Sequence, residues 1–263
     1  MKKVAKIECS QDLKQCVSRV VGELGGLANF VKPGETVMLK PNFNTADPYP
    51  ASTDMDFLRA VIEICYEAGA KMVMVADSST MSLNTGKVME QIGANEIETM
   101  AKPARLYNLD EREWVKKKIP QGRVLKSVSI PRLLERPDKL ILLPCLKTHF
   151  QAQYTGALKI SVAFMKPLQR VKLHLVHLQE QIAELNTLIH PDLIIMDGRK
   201  CFISGGPSHG ELAEPGLIMA SEGRVAIDIE GVKVIQSFPK NSLKDIKPEE
   251  LPQIKRAIEL GIE

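Results

Sequence analysis

Leu140-Ile-Leu-Leu-Pro-Cys-Leu-Lys-Thr-His149 is an aliphatic run that ends in a lysine, a threonine and a histidine. A run of this kind predicts a strand buried on both faces, as in a parallel sheet. Polar and cationic side chains at its carboxyl end are costly to bury without a task, so that end reads as the floor of a site. All five histidines lie from His149 onward, which confines imidazole chemistry to the second half of the chain.

Upstream, the same grammar repeats. Ser10 is the expected cap of a helix with apolar positions Leu13, Val17, Val20, Val21 and Leu24, stopped by Gly25-Gly26. Thr36 to Leu39 is a short strand with the polar exit Lys40-Pro-Asn42. Thr53 and Asp56 resemble a capping box for a helix that ends at Gly69, and Lys71 to Ala76 is a strand that exits at Asp77-Ser78-Ser79. A helix near Thr85 to Ile92 and a strand at Ala104 to Leu109 follow. Strand and helix alternate with short connections, which predicts an α/β fold: a mostly parallel sheet with flanking helices. Residues 111–130 break the pattern with two β-prone segments around Pro120-Gln-Gly122, read as an inserted β-hairpin.

Downstream, Leu168 to Ile189 carries one long helical stripe. Asp192 to Met196 is a buried strand with the exit Asp197-Gly198, Gly216 to Ala220 a further strand, and Val225 to Ile235 and Glu249 to Leu260 are helices. A single α/β domain over 1–263, with the hairpin at 111–130, accounts for the chain of 263 residues, 44% of them hydrophobic.

Charge and cysteines set limits. Thirty-five basic against 32 acidic residues leave a net charge of only +3, so the molecule as a whole is no polyanion binder. Five cysteines without a Cys-x-x-Cys pair argue against a disulfide framework, a zinc ribbon or an iron-sulfur module within the chain, and favour a cytoplasmic home. No run approaches the ~18 to 20 apolar residues of a membrane span.

Ligands of open parallel sheets bind outside the carboxyl ends of strands, so the four exits are expected to converge. Lys147 and His149 are candidates for catalysis together with Asp77, and Lys40 and Asn42 for binding. Thr155-Gly156-Ala-Leu-Lys159 suggests backbone amides and a lysine that approach an anion; a surface lysine at a helix cap is the plainer alternative. His174 borders the apolar stripe and is the metal candidate, whereas His177 points further out and His190 ends a helix. The loop from Ser204 to Gly210 with His209 reads equally as a lid, an anion grip or a long turn. Cys145 reads as a buried thiol before a ligand or nucleophile.

Lys40-Pro-Asn42, Thr53-Asp54, Glu67 to Ala70, Asp77 to Ser79, Pro144 to His149, Thr155 to Lys159, and Asp197-Gly198 with Gly206-Pro207 together resemble a domain of unknown function often fused to ferredoxin-type iron-sulfur modules. That family has no settled activity; the resemblance implies that any iron-sulfur role requires a separate, ferredoxin-like partner. The order and spacing of His149, Lys159 and His174 are also similar to the nickel-pincer lactate racemases. That likeness implies an acid/base role for His149, a cofactor anchor at Lys159 and a metal ligand at His174, with His149 a second ligand candidate. The earlier acid/base histidine of those enzymes has no counterpart before His149.

The expected function is an enzyme that takes a small anionic substrate or a phosphate-bearing organic cofactor, with proton or hydride transfer aided by a divalent metal such as nickel or zinc. The alternative is a non-catalytic accessory protein that docks an iron-sulfur partner through the basic hairpin. Nucleic acid ranks below both, and the oligomeric state stays open.

Overall fold

The computed structural model describes residues 1–9 and 12–263; the cap expected at Ser10 lies outside the described residues. In chain order the strands are β1 (Val4–Glu8), β2 (Thr36–Lys40), β3 (Met72–Asp77), β4 (Arg105–Asn108), β5 (Trp114–Lys118), β6 (Ser127–Pro131), β7 (Lys139–Leu142), β8 (Cys145–His149), β9 (Gln153–Thr155), β10 (Leu193–Gly205), β11 (Gly210–Ala213) and β12 (Leu217–Ser221). The helices are α1 (Leu13–Gly22), α2 (Met55–Glu67), α3 (Thr85–Gln91), α4 (Pro167–Leu173), α5 (Leu178–Leu185), α6 (Arg224–Gln236) and α7 (Pro252–Glu259).

The main sheet has the order β1-β12-β10-β7-β2-β3-β4. From β10 to β4 every pairing is parallel, while β12 and β1 close the other edge antiparallel. Successive residues of the central strands go to opposite faces, as the twofold period of a strand demands. Val37, Leu39, Val73, Val75 and Ile141 join the core beneath α1 and α2, whereas Met38, Met74 and Leu142 join the core beneath α5, α6 and α7. Coverage on both faces explains why these strands read as continuous apolar runs. No helix is long and apolar enough to cross a membrane among the described residues.

Several elements differ from the sequence reading for identifiable reasons. Leu140 to His149 is two strands: Pro144 lacks an amide, so β7 stops at Leu142 and β8 restarts beside β10. The stripe from Leu168 to Ile189 is also two helices, α4 and α5, with His177 in the left-handed region at φ +50°. Leu173 and Leu178 are both buried, yet residues five apart point about 140° apart on one helix, so only a break lets both face the core. Asp54, not Thr53, caps α2; the Thr53 hydroxyl instead accepts the Asn42 amide at 2.7 Å. β10 continues past Asp197-Gly198 to Gly205, so that pair is no strand exit. The cysteines are not all thiols: Cys9 and Cys16 form a disulfide, and Cys65, Cys145 and Cys201 are buried and free.

The hairpin of β5 and β6 forms a separate two-stranded sheet. Lys117 pairs with Glu135, Arg132 with Glu113 and Arg123 with Glu259, while Lys116 and Lys118 remain exposed. Its turn is anchored by Glu184 of α5, fully buried, whose carboxylate accepts the amides of Arg123 at 2.6 Å, Val124 at 3.0 Å and Leu125 at 2.7 Å. Arg256 of α7 completes the cluster at 3.0 Å. Replacing Glu184 by Ala strands a buried guanidinium and three amides, at an expected cost of about 3–5 kcal/mol. Urea unfolding measures it; a loss below about 1 kcal/mol contradicts the anchoring role.

Candidate functional site

One pocket of about 240 Å³ opens where β2, β3 and β8 end. Strand geometry sets its floor. Lys147 and His149 lie two apart on β8 and so share a face, and the β8–β9 register places Thr155 opposite Lys147. The intervening Leu146 turns into the core and the Thr148 hydroxyl bonds the Phe202 carbonyl at 3.1 Å. The 3-10 segment Lys159–Phe164 then brings Lys159 to the rim, α4 supplies Arg170, and His174 follows at its C-cap.

The lining holds three lysines and an arginine against one carboxylate, Asp77. That carboxylate is committed: it pairs with Lys40 at 2.8 Å and accepts the amides of Phe43 at 2.7 Å and Ser78 at 2.6 Å. Lys40 spends a second bond on the Pro41 carbonyl at 2.6 Å, and burial, opposed by Asp77, lowers its pKa. Arg170 is buried as well, bonded to the Ser79 carbonyl at 2.6 Å, the Met165 carbonyl at 2.9 Å and the Ser78 hydroxyl. Lys147 donates to the carbonyls of Ala51 and Pro50, and the Asn42 amide group also donates to Ala51, at 3.1 Å.

Lys159 has no hydrogen-bond or ion-pair partner among the described residues. Burial, reinforced by Lys147, pulls its pKa down to about 7, and burial draws Lys147 down to about 8. Beside them the Thr155 hydroxyl is buried and without a partner. Orphaned buried hydroxyls are rare in folded proteins, and this one lines the pocket.

His149 is 5% exposed and is bound through its backbone-facing nitrogen: Nδ1 accepts the amides of Gln151 and Ala152, each at 3.1 Å. These two amides occupy the Nδ1 lone pair and leave Nε2 as the ring's other nitrogen. His174 is the opposite case, with Nδ1 at 2.7 Å from the Arg170 carbonyl, so the proton sits on Nδ1 and the Nε2 lone pair is free. No group of three or more His, Cys, Asp or Glu suited to a metal exists among the described residues. The donor set therefore does not fit a metal held by side chains alone.

Lys40, Asn42, Asp77, Lys147, His149, Thr155, Lys159 and His174 thus all line one pocket. Gly156 does not. A Cβ there would collide with Asp228 and Tyr154, so the glycine permits close packing. The Thr155 to Lys159 turn does hold an anion, but that anion is protein: Asp228 of α6 accepts the amides of Ala157 at 2.6 Å and Leu158 at 2.9 Å. Asp197 is outside as well, tied to Tyr49 at 2.7 Å and Arg199 at 2.7 Å. His177, His190 and His209 are exposed and elsewhere, although the turn before His209 contributes Pro207 to the wall. Cys145 is a buried thiol whose pKa burial pushes up to about 11. Arg170 was invisible to the sequence reading, since an arginine within a helix gives no local signal of burial.

Known proteins agree with this architecture. The chain is 29% identical over 230 residues to the Thylakoid-associated protein sll1697 of Synechocystis sp. (strain ATCC 27184 / PCC 6803 / Kazusa), a match that covers 82% of this chain and 68% of that protein. The lactate racemase apoprotein from Thermoanaerobacterium thermosaccharolyticum has a similar fold, with a TM-score of 0.50 at 13% identity over 87% of this chain. The chain spans only 57% of that racemase chain. The family model for a domain of unknown function, DUF362, matches residues 37–233, a span that contains every residue lining the pocket. The chain belongs to the DUF362 family.

Proposed function

We propose that the chain is an enzyme whose pocket holds a small carboxylate- or phosphate-bearing molecule between Lys147 and Lys159. The observation that carries this reading is the imbalance of charge: the buried Lys40, Lys147 and Arg170 and the half-buried Lys159 face the pocket, and its one carboxylate is already spent on Lys40. An unpaired buried ammonium is tolerated where a ligand anion completes it. The Thr155 hydroxyl donates the adjoining hydrogen bond. A volume of about 240 Å³ suits a compact anion or the phosphate end of a cofactor.

Lys159 is also the group best poised for proton transfer beside that anion, because its protonation changes near neutral pH. The racemase-like fold agrees with an enzyme and goes no further. A metal-bearing organic cofactor of the racemase type would be held by Lys159 and His174, and it supplies hydride acceptance when bound. No histidine precedes His149, so the opposing acid/base histidine of two-base racemisation has no counterpart in this sequence.

Substitutions separate binding from folding. Lys159→Met is expected to weaken inorganic phosphate binding, measured calorimetrically, by about 30-fold or more. Thr155→Val is expected to weaken it about fivefold while it stabilises the free protein by up to about 1 kcal/mol, because an unsatisfied buried hydroxyl is removed. Phosphate affinity unchanged in both variants contradicts the proposal.

The pH dependence has a definite sign. Lys159 and Lys147 have pKa values of about 7 and about 8 in the folded protein, below their unfolded values, so the unfolded chain binds more protons above neutrality. The stability of the free protein should therefore rise as pH increases from about 7 to about 9. Sulfate, whose charge is constant over that range, should bind more weakly across the same window as the ammonium groups discharge. Thermal midpoints with and without sulfate measure both trends; parallel, flat profiles contradict the assignment.

A further inference from the structure

We infer that His149 serves this pocket as a neutral hydrogen-bond donor, offering Nε2–H to an oxygen of the bound anion, and acts neither as an acid/base nor as a metal ligand. The inference deepens the proposed function, since it names an oxygen acceptor as the group that the ligand presents beside the lysines.

Three observations support it. The β8–β9 turn aims the Gln151 and Ala152 amides at one ring nitrogen, each at 3.1 Å. Two backbone donors on Nδ1 exclude a proton there: protonation would set three N–H groups against one another. The exposed Phe150 side chain stacks on the ring at 5.0 Å and 16°. Nε2 has no hydrogen-bond partner among the described residues, and the ring lines the pocket wall.

Charge acts in the same direction. The groups that face the ring from neighbouring elements are Lys147 on its own strand, Lys159 on the 3-10 segment and His174 after α4, and no carboxylate offsets them. Burial first, then these neighbours, depress the imidazole to about 2. A cationic imidazole is thus disfavoured by its backbone donors and by its surroundings alike. A neutral imidazole that donates one hydrogen bond polarises a carbonyl or stabilises an oxyanion without surrendering its proton. His149 and Lys147 on β8, Thr155 opposite Lys147 on β9, and Lys159 on the 3-10 segment together give the ligand donors from two strands and a helical turn.

The test is direct. Nitrogen-15 NMR of imidazole-labelled protein, free of added ligand, should show His149 as the Nε2-protonated tautomer from about pH 5 to about pH 9. A Nδ1-protonated tautomer, or an imidazolium near neutrality, overturns the inference. This readout does not depend on anion binding, so it stands apart from any failure of the proposed function. With inorganic phosphate as probe, His149→Phe should weaken binding about tenfold or more, whereas His149→Gln, which keeps an N–H donor, should hold it within about threefold. Equal loss in folded Phe and Gln variants, or no loss in either, overturns the donor role.

Discussion

Burial of cations without matching carboxylates is the constraint on which this molecule turns. Lys147 is buried on β8 and Lys159 is half-buried on the 3-10 segment beside it, and the one carboxylate that lines their pocket, Asp77, is occupied by Lys40 and two amides. Such groups lower their pKa values or await an anion, and this pocket does the first in the free protein. A protein that only needed to fold would have placed apolar side chains there at lower cost.

The scaffold that holds these cations is itself built on buried carboxylates that receive backbone amides. Asp228 stitches the turn before Lys159 to α6, and burial raises its pKa to about 7 against the pull of those amides. Glu184 does the same for the inserted hairpin. The site thus has rigid walls whose own polar groups are satisfied, and the donors left over face the pocket. The Thr155 hydroxyl, the Lys159 ammonium and the His149 Nε2–H are those donors.

Much of the fold was legible in the sequence. Residues of β2, β3 and β7 are buried on both faces, and a strand of that kind announces itself as an apolar run with a polar exit. β1, with the alternating pattern Val-Ala-Lys-Ile-Glu, and the four-residue β11 carry too weak a pattern to be read alone. The long stripe from Leu168 misled because helical spacing cannot reveal that Val171 and Leu175 face solvent while Leu173 and Leu178 must both turn inward. Of the site, the lysines, His149, Thr155 and His174 were legible as strand-exit and motif residues. Gly156 was misread because its spacing suggests an anion loop, while the partner that satisfies those amides lies 70 residues away in sequence. Asp228 did leave a signal, a carboxylate flanked by isoleucines in the apolar first two turns of a helix, Val225 to Ile229. The tautomer of His149 depends on amides positioned by a turn, and no linear pattern encodes it.

Proton uptake on anion binding tests the central claim most directly. Calorimetric titration of sulfate into the free protein near pH 7.5, in buffers of different ionisation enthalpy, counts protons taken from solvent as the lysines recharge. The expected result is a net uptake of roughly half a proton or more, reduced in Lys159→Met. Binding without proton uptake, or uptake unchanged in that variant, would contradict an anion site built on discharged buried lysines.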